Sequence, residues 1–402
     1  MNMNKNFSLL LTGQSLANIG DVLYMVGIIS AIFGLTGSAT AASFVPFTIT
    51  TSMFVSNLLT PLLIERVNLK WLLAGSQLGK TILIVVLGLL LTGLSKTNYY
   101  FIFLIISGVA LLDGCAKPIM HSMVPQYVNS DKLVQANGIA ETVFQTIQTV
   151  MWFVGSLFLV LTSPQQIVWI VTILFVISSV LLCFLESVDQ QEEEAQKGKL
   201  DQIKKGWNDL LSTPVLRKIA VMEILETIAG TVWIAAILYV FVNEALQVGE
   251  EWWGFINGSF FLGLIVGSIY CIKYSAVVEK NLSKLILISS LFSFVMTILF
   301  GVTSVPIIAL LLSLGIGISE QIRAIPLQTI IQTSIPKKKL TTVYTSLGAL
   351  STGVFGVASL VMGILADLVG VRSVFLVSGV LLAIVTVIVY RDKHLFVRNI
   401  VE

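Results

Sequence analysis

Long runs of apolar residues dominate this chain of 402 residues. Each run holds about 20 residues, the length that an α-helix needs to cross the hydrocarbon core of a bilayer. Charged residues make up 11% of the chain, against roughly 25% in a soluble globular domain. The runs also lack the polar–apolar alternation of membrane β-strands. The sequence therefore predicts an all-α integral membrane protein.

Twelve apolar spans are predicted, and most of the connections between them are short. The spans cover residues 8–34, 41–63, 71–94, 99–121, 137–161, 166–187, 217–243, 253–272, 285–303, 305–331, 341–366 and 373–391. The extramembrane segments are too short to form a domain of their own. No metal cluster, nucleophile motif or nucleotide site is evident, so we expect neither an enzyme nor a cofactor, and no nucleic-acid partner.

Basic residues are unequally distributed among the connecting segments. If the N-terminus is cytoplasmic, 20 of the 24 basic residues fall in cytoplasmic segments, and only Lys96 and Arg372 fall in external ones. Loops rich in Lys and Arg remain cytoplasmic in membrane proteins. We therefore expect a multi-pass protein of the cell (plasma or inner) membrane, surrounded by lipid, with both termini in the cytoplasm.

The longest polar stretch, residues 188–216, divides the chain into two six-helix halves, residues 1–187 and 217–402. Within this stretch Leu200, Ile203 and Trp207 share a helical face, which predicts an amphipathic helix on the cytoplasmic surface. The halves repeat each other: Asp113, Lys117 and Pro118 in the fourth span match Glu320, Arg323 and Pro326 in the tenth. Likewise, Glu65 and Arg66 after the second span match Glu279 and Lys280 after the eighth.

Four motifs link the chain to a known family. They are NFSLLLTGQSLANIGDVLY, VPQYVNSDKLVQANG, GWNDLLSTPVLR and ILADLVGVRSVF. In their order and spacing they resemble the major facilitator superfamily, and in particular its twelve-helix bacterial drug-efflux branch, which includes macrolide exporters. The resemblance implies two pseudo-symmetric six-helix bundles, a midplane substrate site between them and alternating access. We expect a monomer.

Two motifs of that family are incomplete here. In the loop after the second span, Glu65 and Arg66 are present but both glycines of the family motif are missing. The fifth span offers only Gly155 in place of the Gly-Pro and Gly-Gly pairs of antiporters. The usual antiport arrangement of the fifth helix is therefore not expected.

Asp21 is the leading candidate for proton coupling. It lies in the middle of the first span, where an ionisable group costs about 2.5–3.5 kcal/mol on insertion scales. Gln14, Asn18, Asp21 and Met25 share one helical face, which predicts a polar stripe toward a central cavity. A carboxylate there can carry a proton or attract a cationic substrate, although it can also serve only to bond a neighbouring helix.

The seventh span carries a second set of candidates. Glu223 and Glu226, with Gly230 and Trp233, are predicted to form a stripe equivalent to that of the first span. Glu226 is the deeper carboxylate, and Glu223 has the alternative of pairing with Arg217 or Lys218 near the surface.

A third stripe is predicted on the fifth span. It consists of Glu141, Gln145, Gln148 and Trp152. The amides and the indole are suited to a drug site, since aromatic faces attract cations. Interhelical hydrogen bonding is the open alternative.

The remaining intramembrane charges are predicted to form conformational clusters. Opposite charges one helical turn apart neutralise each other, as Asp113 with Lys117 and Glu320 with Arg323 would do. The resemblance implies that these pairs join Arg66 and Lys280 in holding the outward-facing state. Lys80 is assigned to an intramembrane cluster as well, because its surroundings, AGSQLGKT, lie inside an apolar helix and not in a phosphate-binding loop.

These observations together predict a secondary transporter that exports hydrophobic or amphipathic small molecules against inward proton movement, with Asp21 and Glu226 as the protonatable pair. One alternative is a transporter of lysophospholipid or another specific metabolite, since DKLVQANGIAET resembles lysophospholipid transporters of the same superfamily. Another is a membrane sensor or assembly protein without transport activity.

Overall fold

The structure, a computed structural model, describes residues 4–36, 39–64, 67–95, 97–187, 199–233, 235–249 and 251–397. Throughout this part of the chain the protein is built from helices. Twelve helical elements, α1 to α12, follow the predicted spans. They are α1 Lys5–Thr36, α2 Ala39–Leu59, α3 Leu69–Thr92, α4 Tyr100–Asp113 with Ala116–Tyr127, α5 Leu133–Leu161, α6 Pro164–Cys183, α7 Pro214–Gly230 with Ala235–Val240, α8 Glu251–Lys273, α9 Leu282–Val302, α10 Pro306–Ser334, α11 Lys337–Val369 and α12 Val371–Arg391.

The lengths of these elements fit a membrane protein. Among the described residues, nine helices are long and apolar enough to cross a bilayer, and a bent pair in α7 supplies a tenth. The other two elements are α2, whose apolar part Phe44–Leu59 is shorter, and α5. The predicted all-α fold with twelve membrane helices is confirmed.

Two of the elements are interrupted. In α4 the regular hydrogen-bond pattern is lost at Gly114 and Cys115, although both keep helical φ and ψ angles, because Pro118 offers no N–H to the carbonyl of residue 114 and its ring crowds that carbonyl. In α7 a 3₁₀ turn, Thr231–Trp233, follows Gly230, and the helix axis bends by 49°. Neither interruption is evident from the apolar pattern of the sequence.

Short helices connect the longer ones. The linker helix, Lys199–Ser212, occupies the end of the predicted polar linker, and its Leu210 is buried while Leu211 is exposed. Residues 188–198 lie outside the described part of the chain. The predicted domain boundaries at 188 and 216 stay a prediction.

The chain forms two compact units. Unit 1 comprises Met1–Val128, Thr146–Trp207 and Lys337–Ala349; unit 2 comprises Asn129–Gln145, Asn208–Pro336 and Leu350–Glu402. The first turns of α5 therefore belong to unit 2, and the first turns of α11 belong to unit 1.

The two units repeat one pattern of helix packing. In unit 1, α1 packs on α6, α6 on α3, α3 on α4 and α4 on α2. In unit 2, α7 packs on α12, α12 on α9, α9 on α10 and α10 on α8. Each contact thus recurs six helices later, as expected for pseudo-symmetric bundles.

Serine hydroxyls make equivalent contacts between helices in the two units. The Oγ atoms of Ser52 in α2 and Ser107 in α4 are 2.8 Å apart. In unit 2, Ser259 of α8 donates to the carbonyl of Leu310, and Ser313 of α10 donates to that of Ile256, both at 2.8 Å. Small polar residues of this kind allow membrane helices to approach closely.

In unit 2, α8 and α10 approach closely at two glycines. A Cβ atom on Gly317 would collide with the carbonyl oxygen of Phe260, and one on Gly263 with that of Leu314. Because the colliding atoms belong to the backbone, no side-chain rotation could relieve the clash. Glycine is therefore required at both positions.

Candidate functional site: two buried charge clusters

A lysine joins two carboxylates inside unit 1. The Nζ atom of Lys80 in α3 donates to Oδ2 of Asp21 in α1 at 2.9 Å and to Oδ1 of Asp113 in α4 at 2.5 Å. The side chain of Lys80 is only 1% exposed. One ammonium group therefore connects three helices in surroundings where an unpaired charge would be very costly.

One aromatic ring packs against this cluster. The ring of Phe175 in α6 lies with its centroid 4.8 Å from Nζ of Lys80, within the range of a cation–π interaction. The same ring rests against Gly20 of α1, where an added Cβ would collide with it. The helices α1 and α6 can thus approach closely enough for Phe175 to cover the ammonium group.

The unit 1 cluster carries excess negative charge. With usual protonation, Asp21 and Asp113 contribute two negative charges and Lys80 one positive charge. The second carboxylate oxygen of Asp21, Oδ1, is buried and has no hydrogen-bond partner among the described residues. A proton on this carboxylate would remove the excess charge.

Unit 2 contains a related cluster built around an arginine. The Nη2 atom of Arg323 donates to Oε2 of Glu320 at 2.7 Å, and its Nε atom lies 3.2 Å from Oε1 of Glu226 in α7. Arg323 is 1% exposed, whereas the Glu320 side chain is 42% exposed. Again two carboxylates share one base, and Nη1 of Arg323 has no hydrogen-bond partner in the described part of the chain.

The predicted pairing of Asp113 with Lys117 is wrong. Asp113 binds Lys80, while the side chain of Lys117 is exposed. The carboxylate of Asp113 binds the base of α3 instead of the residue four positions further along its own helix. The equivalent pairing of Glu320 with Arg323, on the uninterrupted α10, is present as expected.

The other candidates of the first span lie along α1 with Asp21. Gln14 is buried, with no partner for its Nε2 atom among the described residues, while Asn18 and Met25 are half-buried. Their role as cavity-lining residues stays a prediction.

The α7 stripe is shorter than expected. Glu223 and Glu226 are both half-buried on α7, but the 3₁₀ turn interrupts the helical face before Trp233. The indole of Trp233 stacks on Phe260, with ring centroids 5.8 Å apart, and contacts the edge of Phe300 at 4.9 Å. The structure places Trp233 in an aromatic core of unit 2.

Lys218 has a partner other than Glu223. Its Nζ atom lies 2.7 Å from Oδ2 of Asp392, just after the end of α12. The contact joins the beginning of α7 to the end of α12. The alternative in which Lys218 pairs with Glu223 is therefore not the arrangement in the structure.

The α5 stripe is divided between the two units. Glu141 and Gln145 are half-buried and belong to unit 2, whereas Gln148 is exposed and belongs to unit 1. The side chain of Trp152 lies outside the described part of the structure. Whether this stripe contacts a substrate stays a prediction.

The predicted loop clusters are only partly described. Glu65 and Arg66 lie outside the described residues. Glu279 is half-buried and Lys280 is exposed at the end of the short helix Ser275–Lys280. Their conformational role stays a prediction.

Two buried groups were missed in the sequence. Asn137 is completely buried in unit 2, where its Nδ2 atom donates to Oε1 of Gln332 at 2.8 Å. His121 is buried in unit 1 with its ring centroid 5.4 Å from that of Tyr344. The small neighbours Ala136 and Gly138 were the available signal that Asn137 faces another helix.

Comparison with known proteins agrees with this architecture. Residues 10–352 match the family model described as Major Facilitator Superfamily. Among curated proteins, the chain is 31% identical over 389 residues to YfmI of Bacillus subtilis (strain 168), described as an uncharacterized MFS-type transporter, and the match covers 95% of each chain.

Solved structures show the same fold. The transporter FucP in its outward conformation matches with a TM-score of 0.77 and 14% identity, over 96% of this chain and 98% of its own. The human organic anion transporter MFSD10 (TETRAN) matches with a TM-score of 0.78 and 11% identity, over 96% and 99%. At such low identity the similarity concerns the fold alone.

Proposed function

The chain belongs to the Major Facilitator Superfamily, a family of membrane carriers rather than enzymes, and from this premise we propose that it exports hydrophobic or amphipathic small molecules in exchange for protons. It is a multi-pass membrane transporter, and members of the family carry small molecules, often with ion coupling. The proposal concerns the coupling ion, the direction of transport and the class of substrate.

The observation that carries the proposal is the cluster of Lys80 with Asp21 and Asp113. Its excess negative charge lies in low-dielectric surroundings, where neutralisation by a proton is favourable. Lys80 can keep Asp113 as its partner when Asp21 takes up the proton. Protonation would then weaken the connection between α1 and α3 without leaving the buried ammonium group unpaired.

The cluster of Arg323 with Glu226 and Glu320 offers a second such group. Glu226 is held by a longer contact than Glu320, so its neutralisation leaves the shorter Arg323–Glu320 pair intact. Asp21 and Glu226 are therefore proposed as the protonatable pair, one in each unit.

The test uses inverted membrane vesicles with an imposed proton gradient. Uptake of a panel of hydrophobic dyes and macrolides is compared between the native protein and Asp21→Asn, with and without a protonophore. We expect the native protein to accumulate a substrate only with the gradient, and Asp21→Asn to lose accumulation although it is present in equal amount. The exposed Asp131, as Asp131→Asn, is the matched control and should transport normally.

Full gradient-driven accumulation by Asp21→Asn would refute the assignment of this carboxylate. Movement of labelled lysophospholipid that is independent of the proton gradient would instead favour the lipid alternative. A native protein that moves none of these compounds would contradict the proposed substrate class.

A further inference from the structure

In unit 2, α9 and α12 pack on each other in opposite directions. Near the middle of the pair, a Cβ atom added to Gly379 would collide with the side chain of Ile298. Fifteen residues earlier on α9, the Oγ atom of Ser283 donates to the carbonyl of Lys393 at 2.8 Å. The start of α9 therefore meets the segment of chain that follows α12.

Each of the two helices presents an exposed apolar stripe that ends in a base. Side chains spaced i, i+4, i+7 and i+11 share one helical face. On α9 the exposed residues with this spacing are Lys284, Ile288, Leu291 and Val295. On α12 the same spacing runs backwards along the chain, through the exposed residues Arg391, Val387, Ile384 and Val380. Because the helices run in opposite directions, both bases lie at the same end of the pair.

The α9 stripe has the depth of one lipid leaflet. Its apolar part continues to the exposed Leu299, 11 residues beyond Ile288, which is about 16 Å at about 1.5 Å per residue. The hydrocarbon core of a bilayer is about 30 Å thick, so each leaflet contributes about half of that depth. The exposed Tyr390 lies where the apolar surface ends, as is typical of tyrosine at the membrane–water interface. The bases are therefore at the level of the lipid headgroups.

The segment after α12 has a defined position. The side chain of Phe396 is completely buried, and Oδ2 of Asp392 lies 2.7 Å from Nζ of Lys218 in α7. The Nζ atom of Lys393 is 5.6 Å from the centroid of the Tyr390 ring. The base that follows α12 is thus held beside the start of α9.

Bases outnumber carboxylates at this end of the helix pair. Residues 279–284 and 391–393 contain four bases, all exposed, and two carboxylates. One carboxylate, Asp392, is already paired with a fifth base, Lys218, and the other, Glu279, is half-buried. Excess positive charge next to an apolar stripe favours a ligand that is anionic at one end and apolar along the rest of its length.

The equivalent helix pair of unit 1, α3 with α6, has a different charge pattern. The base of α3 that matches Lys284 is Lys70, which is half-buried with its Nζ atom 4.6 Å from the centroid of the Trp71 ring. Just after α6 the chain has the exposed Glu186, where unit 2 has Lys393 after α12. Contact with lipid does not by itself require a group of bases, so the group in unit 2 needs a separate explanation.

We propose that the surface formed by the α9 and α12 stripes binds one anionic phospholipid. Its phosphate diester lies among Lys284, Arg391 and Lys393, and its acyl chains follow the two apolar stripes. Basic groups between membrane helices at the membrane surface attract acidic headgroups in this way. The lipid connects the start of α9 to the end of α12 and remains on the outside of unit 2. The inference goes beyond the proposed function, because this lipid is a bound partner and not a transported substrate.

Native mass spectrometry of the purified full-length protein in detergent tests the proposal. The protein is titrated with phosphatidylglycerol and, separately, with zwitterionic phosphatidylcholine that has the same acyl chains. We expect the native protein to bind one phosphatidylglycerol in preference to phosphatidylcholine. Lys284→Gln combined with Lys393→Gln should weaken this binding about 25-fold, since each base next to an acidic lipid contributes about fivefold.

The matched control removes the same amount of charge from other helices. Lys273→Gln combined with Lys337→Gln replaces exposed lysines at the end of α8 and the start of α11, and this variant should bind phosphatidylglycerol like the native protein. Inorganic phosphate at millimolar concentration, added as a competitor, should not displace the lipid, because it does not contact the apolar stripes. If the double variant at Lys284 and Lys393 does not fold, Arg391→Gln takes its place, with an expected loss of about fivefold.

Thermal unfolding provides a second measurement. A ligand that binds only the folded state raises Tm, so phosphatidylglycerol should raise the Tm of the native protein and of the control variant more than that of Lys284→Gln with Lys393→Gln. Equal binding of the two lipids, an equal loss of affinity in the control variant, or displacement by inorganic phosphate would each overturn the proposal. These outcomes are independent of transport, because no gradient or transported substrate is present in either measurement.

Discussion

The ammonium group of Lys80 lies 2.9 Å from the carboxylate of Asp21, although the two residues are 59 positions apart in the chain. The same ammonium group binds Asp113. Three helices of unit 1 thus meet at one buried base.

Lys80→Met should destabilise the protein. The change leaves Asp21 and Asp113 close together without their shared base, and breaking a buried ion pair from one side costs about 3–5 kcal/mol. Thermal unfolding in detergent measures the effect as a clear fall in Tm. The exposed Lys117, as Lys117→Met, should unfold at the native temperature, and adding Asp21→Asn to Lys80→Met should restore part of the loss. Equal Tm values for Lys80→Met and Lys117→Met would contradict this account.

Glu226→Gln should abolish gradient-driven transport while the protein remains folded. Arg323 keeps its shorter contact with Glu320 in this variant, so the buried guanidinium group is not left without a counter-charge. The measurement is substrate accumulation in vesicles, normalised to the amount of protein. Glu244→Gln, at an exposed carboxylate of unit 2, is expected to behave as the native protein. Undiminished accumulation by Glu226→Gln would exclude this residue from coupling.

Gly317→Ala should destabilise unit 2. The new methyl group would meet the carbonyl oxygen of Phe260, and overpacking of this kind typically costs about 1–3 kcal/mol. In contrast, Gly258→Ala on α8 enters open space and should be neutral or stabilising by up to about 1 kcal/mol, because alanine favours the helix. Thermal unfolding of the two variants distinguishes them, and a Gly317→Ala protein as stable as Gly258→Ala would show that α8 and α10 are not in backbone contact.

Asp392→Asn should lower stability in a pH-dependent way. The hydrogen bond from Lys218 holds the pKa of Asp392 below its ordinary value. A carboxylate with a lowered pKa in the folded state stabilises the protein above its unfolded-state pKa, and that contribution is lost as the pH falls through the folded-state pKa. The native protein should therefore have the higher Tm at neutral pH, and the difference should disappear in acid. A difference that persists unchanged at low pH would rule out the ion pair as its cause.

The general architecture could be predicted from the sequence because it depends on local composition. Apolar runs of sufficient length gave the twelve helices, and the matched series around Asp113 and Glu320 indicated the repeat. The helix ends were predicted less well: α10 extends to Ser334, beyond the predicted end at residue 331, because polar residues inside a bundle do not stop a helix.

The composition of the charge clusters could be predicted only in part. The cost of burying charge identifies Asp21, Lys80 and Asp113 as residues that need partners. Which of them meet depends on how α1, α3 and α4 pack, and spacing along one helix gives no information about that. For the same reason, Asn137 and Gln332 were not recognised as a buried pair.

The two clusters also differ in how far apart in the chain their partners lie. On α10, Glu320 takes its counter-charge from the next turn, at Arg323. On α4 the residue at the same step from Asp113 is Ala116, and the counter-charge comes from Lys80 of α3. The base of unit 2 therefore stays beside Glu320 whenever α10 is helical, whereas the base of unit 1 meets Asp113 only when α3 and α4 are packed together.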